Sequence, residues 1–206
     1  MVRKIKIFGL TGDMGCGKST VTKLLKNNSD VCVIDCDKVA KEILNDNKNL
    51  KKIRLILGDE ILVKNRIDRQ KISQIIFCNN EKKQKLESFI HPKVWKKILE
   101  LIRKEDNKKI FVVESAIIYE IGWEKKLNKI ILVVCNKEEQ RRRIKLRDKL
   151  TDEQINERLK GQLTNKYKRE RSWVVIDTNC SLEKLKQKTD QLYSYLRTDN
   201  DDKLVL

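Results

Sequence analysis

The sequence predicts an α/β fold in which a parallel sheet of five strands is covered by helices on both faces. Short apolar runs rich in β-branched residues recur along the 206-residue chain, and segments with helical spacing separate them. Near-continuous apolar strands are typical of parallel sheets, because crossover helices bury both faces of such a sheet. The predicted strands are residues 5–10, 31–34, 110–113, 130–134 and 173–176.

The first predicted strand leads into a phosphate-binding motif at residues 12–19, GDMGCGKS, which fits the pattern G-x-x-x-x-G-K-[ST]. The glycines allow successive backbone N–H groups to converge on one phosphate, and the lysine reaches the outer phosphates. The serine hydroxyl is placed to bind Mg²⁺. Val21, Leu24 and Leu25 then share one helical face, so the motif has the strand–loop–helix context that this chemistry needs. A chance match in a glycine-rich turn is the weaker interpretation.

The second predicted strand is followed directly by Asp35 and Asp37. In an open parallel sheet the carboxyl ends of the strands border the ligand crevice. A spacing of two places both carboxylates on one side if the chain stays extended. One carboxylate could then accept a proton from an attacking hydroxyl, and the other could hold a metal-bound water. Asp37 could also be the N-cap of a helix that begins at Lys38, and the two roles are compatible.

The span from residue 41 to residue 109 is much longer than the dozen or so residues that a crossover needs. Its apolar residues follow a helical pattern, so it predicts a helical insertion at residues 41–105 within a core formed by residues 1–40 and 106–206. Pro92 is the only proline in the chain. It predicts the first turn of a helix, with His91 just outside.

A basic region follows the fourth predicted strand. Residues 141–171 hold 12 basic and 5 acidic side chains, and Thr151 begins a sequence with the form of a capping box. A basic helix, a turn and a second helix predict a mobile lid at about residues 137–171. Most of these charges are expected to form a solvated face. Arg143 and Arg147 are exceptions, because they lie four apart on one helical face close to the end of a strand.

The composition narrows the possible partners only in part. The formal charge of +17 favours a polyanion but does not choose among a nucleotide, a nucleic acid and a membrane surface. We expect no membrane span, because no apolar run reaches about 18 residues. We expect no signal segment either, because the sequence starts with Val2-Arg3-Lys4-Ile5 and not with an apolar stretch. The six cysteines form no C-x-x-C pair and the single histidine, His91, is not near a cysteine, so a zinc site is not predicted. Reduced thiols in a cytoplasmic protein are the expectation.

Taken together, the motifs resemble the dephospho-CoA kinase family over nearly the whole chain. The family's G-L-T-G-x-x-G-x-G-K-S-T occurs at residues 9–20 and its V-I-D-x-D at residues 33–37. Each remaining motif is weak alone, but their order and spacing together are specific. These motifs are Asp68-Arg69-Gln70-Lys71-Ile72 for D-R-x-x-[LI], Ile76-Phe77 for I-F, His91-Pro92 for H-P, Gln140, Arg143, Arg147 and Asp148 for Q-x-x-R-x-x-x-R-D, and Arg158 with Gln162 for R-x-x-x-Q.

The chain departs from the family pattern at three places. Residues 116–120, AIIYE, replace P-L-L-[FL]-E, so the proline is lost and the glutamate is kept. Ser172 and Trp173 replace an A-D pair before the fifth predicted strand. Asn179 is kept in the N-x-G that follows this strand, but Ser181 stands where glycine is usual.

The resemblance implies a three-layer α/β/α P-loop kinase fold with a five-stranded parallel sheet, a helical substrate-binding insertion and a helical lid. It implies transfer of the γ-phosphoryl group of ATP to the ribose 3′-hydroxyl of dephospho-CoA, giving CoA and ADP, with Mg²⁺ as cofactor. This is the last step of coenzyme A biosynthesis. The implied catalytic residues are Lys18, Asp37 as the base, and Arg143, although the choice between Asp35 and Asp37 as base stays open.

The resemblance also implies the binding residues. ATP would be bound by Asp13, Met14, Gly15, Cys16, Gly17, Lys18, Ser19, Thr20, Arg147 and Asn179. The acceptor substrate would be bound by Asp35, Asp37, Arg69, His91 and Glu120. Ser19 and Asp35 would hold the metal. A cytoplasmic monomer without a nucleic-acid or membrane partner is expected, with weak self-association left open.

Three alternatives remain at this point. A kinase for nucleoside monophosphates or shikimate would carry the same loop, and the residues alone do not exclude it. A nucleic-acid-binding NTPase would account for the positive charge, but it predicts aromatic residues interleaved with basic ones. Residues 141–171 contain only Tyr167 as an aromatic residue. The kinase could also be one part of a bifunctional pathway enzyme, although this chain has no room for a second catalytic domain.

Overall fold

The structure is a computed structural model that describes residues 5–63, 66–198 and 202–206. The chain divides into two compact units. We call Met1–Ile34 with Asp106–Leu206 the core unit, and Asp35–Glu105 the insertion unit. The assignment of substrate binding to an insertion at residues 41–105 stays a prediction.

Strands and helices are interspersed along the described chain, with several helices following one another directly. The strands are β1 (Lys6–Thr11), β2 (Val31–Asp35), β3 (Leu62–Val63), β4 (Arg66–Ile67), β5 (Ile110–Glu114), β6 (Lys129–Val134), β7 (Val174–Asp177) and β8 (Leu204–Val205). The helices are α1 (Lys18–Leu25), α2 (Cys36–Asn45), α3 (Asn47–Leu57), α4 (Arg69–Cys78), α5 (Asn80–Lys104), α6 (Lys137–Asp148), α7 (Asp152–Lys160), α8 (Asn165–Arg171) and α9 (Leu182–Arg197).

The main sheet has the strand order β2-β5-β1-β6-β7-β8 among the described residues. β1 pairs in parallel with β5 and β6, and β7 pairs in parallel with β6 and β8. The predicted α/β class with a layered, parallel sheet is therefore confirmed. The predicted count of five strands is wrong, because residues 204–205 add a sixth within the described part of the chain. A strand of two residues is too short for its periodicity to show in the sequence.

The hydrophobic core of the core unit lies between the sheet and its helices. Leu10 from β1 and Ile131 from β6 are fully buried, and they belong to one cluster with Val21 of α1 and Leu192 of α9. Trp173, just before β7, stacks on Phe8 at a ring-centroid distance of 5.8 Å and on Tyr195 at 4.8 Å. β1, which leads into the loop, is therefore held by close packing.

The insertion unit is mainly helical, and β3 and β4 form a short antiparallel pair within it. The predicted helix start at Pro92 is wrong, because α5 contains both His91 and Pro92. This helix begins after Asn79, whose side chain accepts a hydrogen bond from the backbone N–H of Lys82 at 2.9 Å. Its stripe of buried apolar side chains continues past the proline. The burial of these side chains offsets the loss of stability from the backbone hydrogen bond that proline cannot form. The stripe consists of Leu86, Ile90, Val94, Ile98 and Ile102.

The region predicted as a lid contains α6, α7 and α8. The capping box at Thr151 is confirmed. The Thr151 hydroxyl accepts from the backbone N–H of Gln154 at 3.3 Å, and the Gln154 side chain accepts from the backbone N–H of Thr151 at 3.0 Å. Within residues 5–63, 66–198 and 202–206, none of the helices combines the length and apolar character that crossing a bilayer requires.

Candidate active site

The phosphate-binding motif forms a tight loop between β1 and α1. Gly12, Gly15 and Gly17 have φ angles of 146°, 81° and 91°, in the region that L side chains rarely adopt. A Cβ on Gly12 would lie 2.1 Å from the backbone oxygen of Val133, and one on Gly15 would lie 2.6 Å from Cγ1 of Ile144. Both backbone conformation and close packing therefore require glycine in this loop.

The loop ends at the N-terminus of α1, where backbone N–H groups and the helix dipole favour an anion. The Lys18 ammonium lies across the loop and donates to the backbone oxygens of Gly12 at 2.8 Å and Asp13 at 3.1 Å. Ser19 is exposed in the first turn of α1. The arrangement places a cation, a hydroxyl and a set of backbone N–H groups in one short segment, and these are the groups that a phosphate-binding site uses.

Cys16 lies within this loop and Cys135 lies beside it, and both are neutral thiols. Burial raises the pKa of Cys16, with Lys18 opposing the shift less strongly. Burial raises the pKa of Cys135 to about 11, and its thiol lies 4.0 Å from the backbone oxygen of Gly15. The thiolate is the nucleophilic form of cysteine, so the structure gives these side chains a packing role.

Arg143 on α6 is brought to the loop through Thr178. Its Nη1 donates to the Thr178 hydroxyl at 2.8 Å, and its Nη2 donates to the Thr178 backbone oxygen at 3.0 Å. The Thr178 hydroxyl in turn donates to the backbone oxygen of Cys16 at 2.9 Å. The guanidinium of Arg143 is also fixed by Glu139, whose Oε1 accepts from Nε at 2.7 Å. Thr178 was not predicted as a site residue.

Glu139 carries a strongly shifted pKa. Hydrogen bonds from Arg142, and then from Arg143, lower the pKa of its carboxyl group to about 2. Arg142 is the more exposed of these arginines, with 61% of its side chain accessible against 28% for Arg143. Glu139 therefore stays ionised over the whole neutral range and holds Arg143 in place.

Arg147 is oriented differently from Arg143. It forms a bidentate pair with Asp148, with distances of 2.9 Å from Nε to Oδ1 and 2.8 Å from Nη2 to Oδ2. The hydrogen bonding between the two side chains raises the pKa of Arg147 and lowers the pKa of Asp148. The structure thus shows Arg143 in the loop network and Arg147 in a separate surface pair.

Two glutamines quoted above only as parts of motifs contact Met14 in the loop. Gln140 Nε2 donates to the Met14 backbone oxygen at 2.8 Å, and the Met14 N–H donates to Gln162 Oε1 at 3.3 Å. Glutamine can donate and accept through one side chain, which allows the same residue type to hold both groups. The spacing of the motifs was the signal that could have identified these residues.

Two acidic side chains of the core unit have defined partners near the loop. Glu114 ends β5 opposite Leu10 of β1, and its Oε2 accepts from the hydroxyl of Thr22 at 2.9 Å. Glu114 was not predicted as a site residue, although an acidic residue that ends an apolar strand is a recognisable signal. Glu120, predicted to bind substrate, accepts from Lys168 Nζ at 3.0 Å and from the backbone N–H of Leu163 at 2.9 Å.

Two of the chain's three departures from the family pattern are in contact in the core unit. The Tyr119 hydroxyl lies 2.8 Å from the hydroxyl of Ser172, and Ser172 also donates to the backbone oxygen of Lys168 at 2.7 Å. Burial raises the pKa of Tyr119. The substitutions at 116–120 and at 172 thus form one contact.

Asp35 and Asp37 lie at the start of the insertion unit, and both are exposed. Asp35 ends β2 and is the N-cap of α2, because its Oδ1 accepts from the backbone N–H of Lys38 at 3.1 Å. The interpretation that Asp37 caps a helix from Lys38 is therefore wrong. The helix begins at Cys36, so the chain is not extended through Asp37. The expectation that extension aligns both carboxylates does not apply.

The other predicted binding residues are placed as follows. Arg69 begins α4 and lines a cavity of about 430 Å³ together with Asn47 and Arg66. His91 is half-buried within α5, and burial lowers its pKa while Glu87 acts in the opposite direction. Asn179 is exposed after β7, where its backbone N–H donates to Asp177 Oδ1 at 2.8 Å.

The parallel sheet, the glycine-rich loop at the start of α1 and the lysine and arginine that converge on the loop define a phosphate-loop kinase. A sequence model of the dephospho-CoA kinase family matches residues 6–184. The dephospho-CoA kinase of Fusobacterium nucleatum subsp. nucleatum is 38% identical over 188 residues, which cover 91% of this chain and 96% of that protein.

Solved structures agree with the sequence matches. The crystal structure of TT1252 from Thermus thermophilus has a TM-score of 0.83 at 28% identity and covers 94% of this chain and 99% of that one. Dephospho-CoA kinase from Campylobacter jejuni has a TM-score of 0.62 at 30% identity, with 94% and 98% covered. The chain belongs to the dephospho-CoA kinase family, which catalyses the final step of coenzyme A biosynthesis.

Proposed function

We propose that this protein transfers the γ-phosphoryl group of ATP to the ribose 3′-hydroxyl of dephospho-CoA, which yields CoA and ADP. The observation that carries the proposal is the loop itself, in which positive φ angles at Gly12, Gly15 and Gly17 shape a backbone nest beside Lys18. Membership of the dephospho-CoA kinase family supports the choice of acceptor.

In this proposal, ATP is held mainly by backbone groups of the loop. The N–H groups from Asp13 to Thr20 surround the β-phosphate, and Lys18 offsets charge between the β- and γ-phosphates. Lys18 would exchange its contacts with the backbone oxygens of Gly12 and Asp13 for phosphate oxygens. Asn179, exposed after β7, is proposed to contact the adenine.

Mg²⁺ is the proposed cofactor, and the available donors fit it. Hydroxyl and carboxylate oxygens are the ligands that this ion prefers, together with phosphate oxygens and water. The Ser19 hydroxyl is exposed in the first turn of α1, and Asp35 is an exposed carboxylate at the end of β2. Bound there, the ion would offset charge on the phosphates. Among the described residues, no group of three or more His, Cys, Asp or Glu side chains forms a separate metal site.

Arg143 is the proposed stabiliser of charge on the transferred group. Phosphoryl transfer spreads charge over three equatorial oxygens, and an arginine in this role contributes roughly 10³-fold or more in rate. The contacts with Glu139 and Thr178 support this role, because they hold the guanidinium beside the loop. Arg147 is proposed as a second cation for ATP, which would require it to leave its pair with Asp148.

Asp37 is the proposed base that accepts the proton of the 3′-hydroxyl, and Asp35 is the alternative. Asp37 is the better choice because the Asp35 carboxylate already accepts the capping N–H of Lys38. Arg69 and His91 are proposed to bind the acceptor in the insertion unit. For Arg69, the lining of its cavity supports this role, since Arg66 adds a second guanidinium for an anionic group, with Asp46 as the acidic residue of the same lining.

For Glu120, the proposed substrate contact must coexist with its pairing to Lys168. The predicted movement of residues 137–171 as a lid would exclude water from the transfer. The cytoplasmic location and the monomeric state stay predictions from the sequence.

A comparison of acceptors tests this function. ADP release is measured in a coupled assay with dephospho-CoA, adenosine, AMP or shikimate as acceptor, and Lys18→Ala is the control for loop-dependent turnover. We expect the highest kcat/KM with dephospho-CoA and a loss of turnover in the variant. A higher kcat/KM with AMP or shikimate would contradict the proposed acceptor while leaving the phosphate loop in place.

A further inference from the structure

A buried lysine outside the proposed roles lies against the phosphate loop. Lys168 on α8 has no exposed side-chain surface, and its ammonium is 3.0 Å from Asp13 Oδ1 and 3.0 Å from Glu120 Oε1. Asp13 belongs to the loop, and Glu120 belongs to the segment after β5. Moving an ammonium group out of water is costly unless opposite charge and hydrogen bonds compensate it. Most charges of residues 141–171 were expected to be solvated, and for Lys168 that expectation is wrong.

Asp13 is held at its main chain and at its side chain by different lysines. Lys18 donates to its backbone oxygen at 3.1 Å, and Lys168 donates to its carboxylate at 3.0 Å. In the proposed reaction Lys18 turns towards the outer phosphates of ATP, so the main-chain contact is given up. Lys168 is already buried between its two partners, and its contact with Asp13 can persist.

The contact between Lys168 and Asp13 also has an electrostatic effect. The Asp13 carboxylate places a negative charge within the loop that is proposed to bind a triphosphate. Like charges repel strongly where the effective dielectric constant is below that of water. Lys168 offsets this charge at hydrogen-bonding distance.

Glu120 is the second partner of the Lys168 ammonium. Its Oε1 accepts from Lys168 and also from the backbone N–H of Leu163, in the connection between α7 and α8. Only 15% of the Asp13 side chain and 14% of the Glu120 side chain are exposed, so water screens these pairs weakly. The lysine is therefore anchored independently of the loop.

We propose that Lys168 is a positioning residue for nucleotide binding, which holds the first turn of the phosphate loop through Asp13 and offsets its charge against the phosphates. This inference rests on the proposed binding of ATP by the loop. Lys168 acts on the affinity for ATP and not on the affinity for the acceptor.

The test compares Lys168→Met with Lys166→Met, which removes an exposed lysine from the same helix. The Kd of ATP is measured by calorimetry without acceptor, and KM is measured for ATP and for dephospho-CoA. We expect Lys168→Met to raise the Kd and KM of ATP about tenfold or more, as for loss of a partner of a buried charge. The KM of dephospho-CoA should change less than about twofold, because Glu120 keeps its hydrogen bond from the backbone N–H of Leu163. Lys166→Met should leave all three values unchanged.

The same replacement in an Asp13→Asn background shows whether Lys168 acts through Asp13. There, we expect Lys168→Met to change the Kd of ATP by less than about threefold, because the effects of residues in direct contact are not additive. An equal loss in both backgrounds would overturn the proposal. So would a Kd of ATP that is unchanged in folded Lys168→Met, because a purely structural role lowers only the free energy of unfolding.

Folding is monitored by urea unfolding, and Lys168→Gln replaces Lys168→Met in both backgrounds if the latter does not fold. Glutamine keeps a hydrogen-bond donor but not the charge, so the part of the loss of ATP affinity that comes from the charge is still expected. If the unaltered protein binds ATP but does not phosphorylate dephospho-CoA, the proposed reaction fails and this test still decides the role of Lys168. If the unaltered protein binds no ATP, both proposals fail.

Discussion

The helices of the predicted lid are held by opposite kinds of charge contact. On α8, Lys168 is fully buried between Asp13 and Glu120. α6 and α7 are instead joined by exposed pairs, in which Arg141 and Lys145 both contact Asp152 at 3.1 and 2.7 Å. Exposed pairs contribute little to stability, whereas breaking a buried pair is strongly destabilising. The difference indicates that α8 belongs to a fixed frame behind the loop, so the predicted movement of residues 137–171 would be limited to the part before α8, where exposed pairs join α6 and α7.

The largest expected effect is on kcat, and it should differ between two neighbouring arginines of α6. Arg142 and Arg143 both contact Glu139, but only Arg143 is shown in contact with Thr178. We expect Arg143→Ala to lower kcat about 10³-fold, as for an arginine that stabilises the transferred phosphoryl group. Arg142→Ala is the matched control and should retain kcat within about twofold, as for an exposed surface charge. Equal losses in steady-state kinetics would show that the loop contact of Arg143 does not matter.

The next prediction tests the rigidity of the frame at the loop. A Cβ on Gly12 would lie 2.1 Å from the Val133 oxygen at a φ of 146°, whereas one on Gly161 would meet no atom within 4 Å. We expect Gly12→Ala to lower the free energy of unfolding by about 3 kcal/mol or more, because strain and overlap add. Gly161→Ala should change it by less than about 0.5 kcal/mol. Urea unfolding measures both, and similar values for the two variants would contradict a rigid loop.

A smaller effect depends on pH through Glu139. Its pKa is lowered from 4.5 to about 2 by Arg142 and Arg143. A depressed pKa in the folded state stabilises the protein above the unfolded pKa, and this stabilisation is lost as the pH falls. We expect the native protein to exceed Glu139→Gln in stability by a constant amount above pH 5, and the difference to shrink between pH 4.5 and about 2.

Urea unfolding of both proteins across this pH range measures the effect. A difference in stability that grows as the pH falls would have the wrong sign for a carboxylate held by these arginines.

The smallest effect is expected at the exposed pairs between α6 and α7. Asp152→Asn removes the partner of Arg141 and Lys145, and we expect Tm to change by less than about 2 °C. Calorimetric scans of this variant and of Lys168→Met provide the comparison. If Asp152→Asn lowers Tm as much as Lys168→Met does, the contrast between fixed and rearranging helices is wrong.

Local signals predicted much of the fold. The apolar runs identified five strands of the main sheet, and the capping pattern at Thr151 identified the start of α7, because each signal arises from residues close together in the chain. The short strand β8 was missed because its pairing is set by backbone contacts with distant residues. Pro92 was misplaced because the buried stripe of α5 overrides the local preference of proline for a first turn.

The site shows the same division between local and distant information. The phosphate motif is contiguous, so its glycines and Lys18 were recognisable from the sequence. Lys168 was not, because a lysine in a basic segment has the same sequence signature whether it is solvated or buried. Its partners, Asp13 and Glu120, are distant in sequence and meet it only in the folded chain.

The aromatic stack around Trp173 provides the protein with a natural optical probe. This indole lies between Phe8 of β1 and Tyr195 of α9, and the ammonium of Lys129 lies 4.3 Å from its ring centroid. Indole emission depends on such neighbours, so separation of the first strand from the last helix should change the fluorescence of this residue. Trp95 lies in the insertion unit and Trp123 in the core unit. Single-tryptophan versions could therefore follow the unfolding of each unit without an added dye.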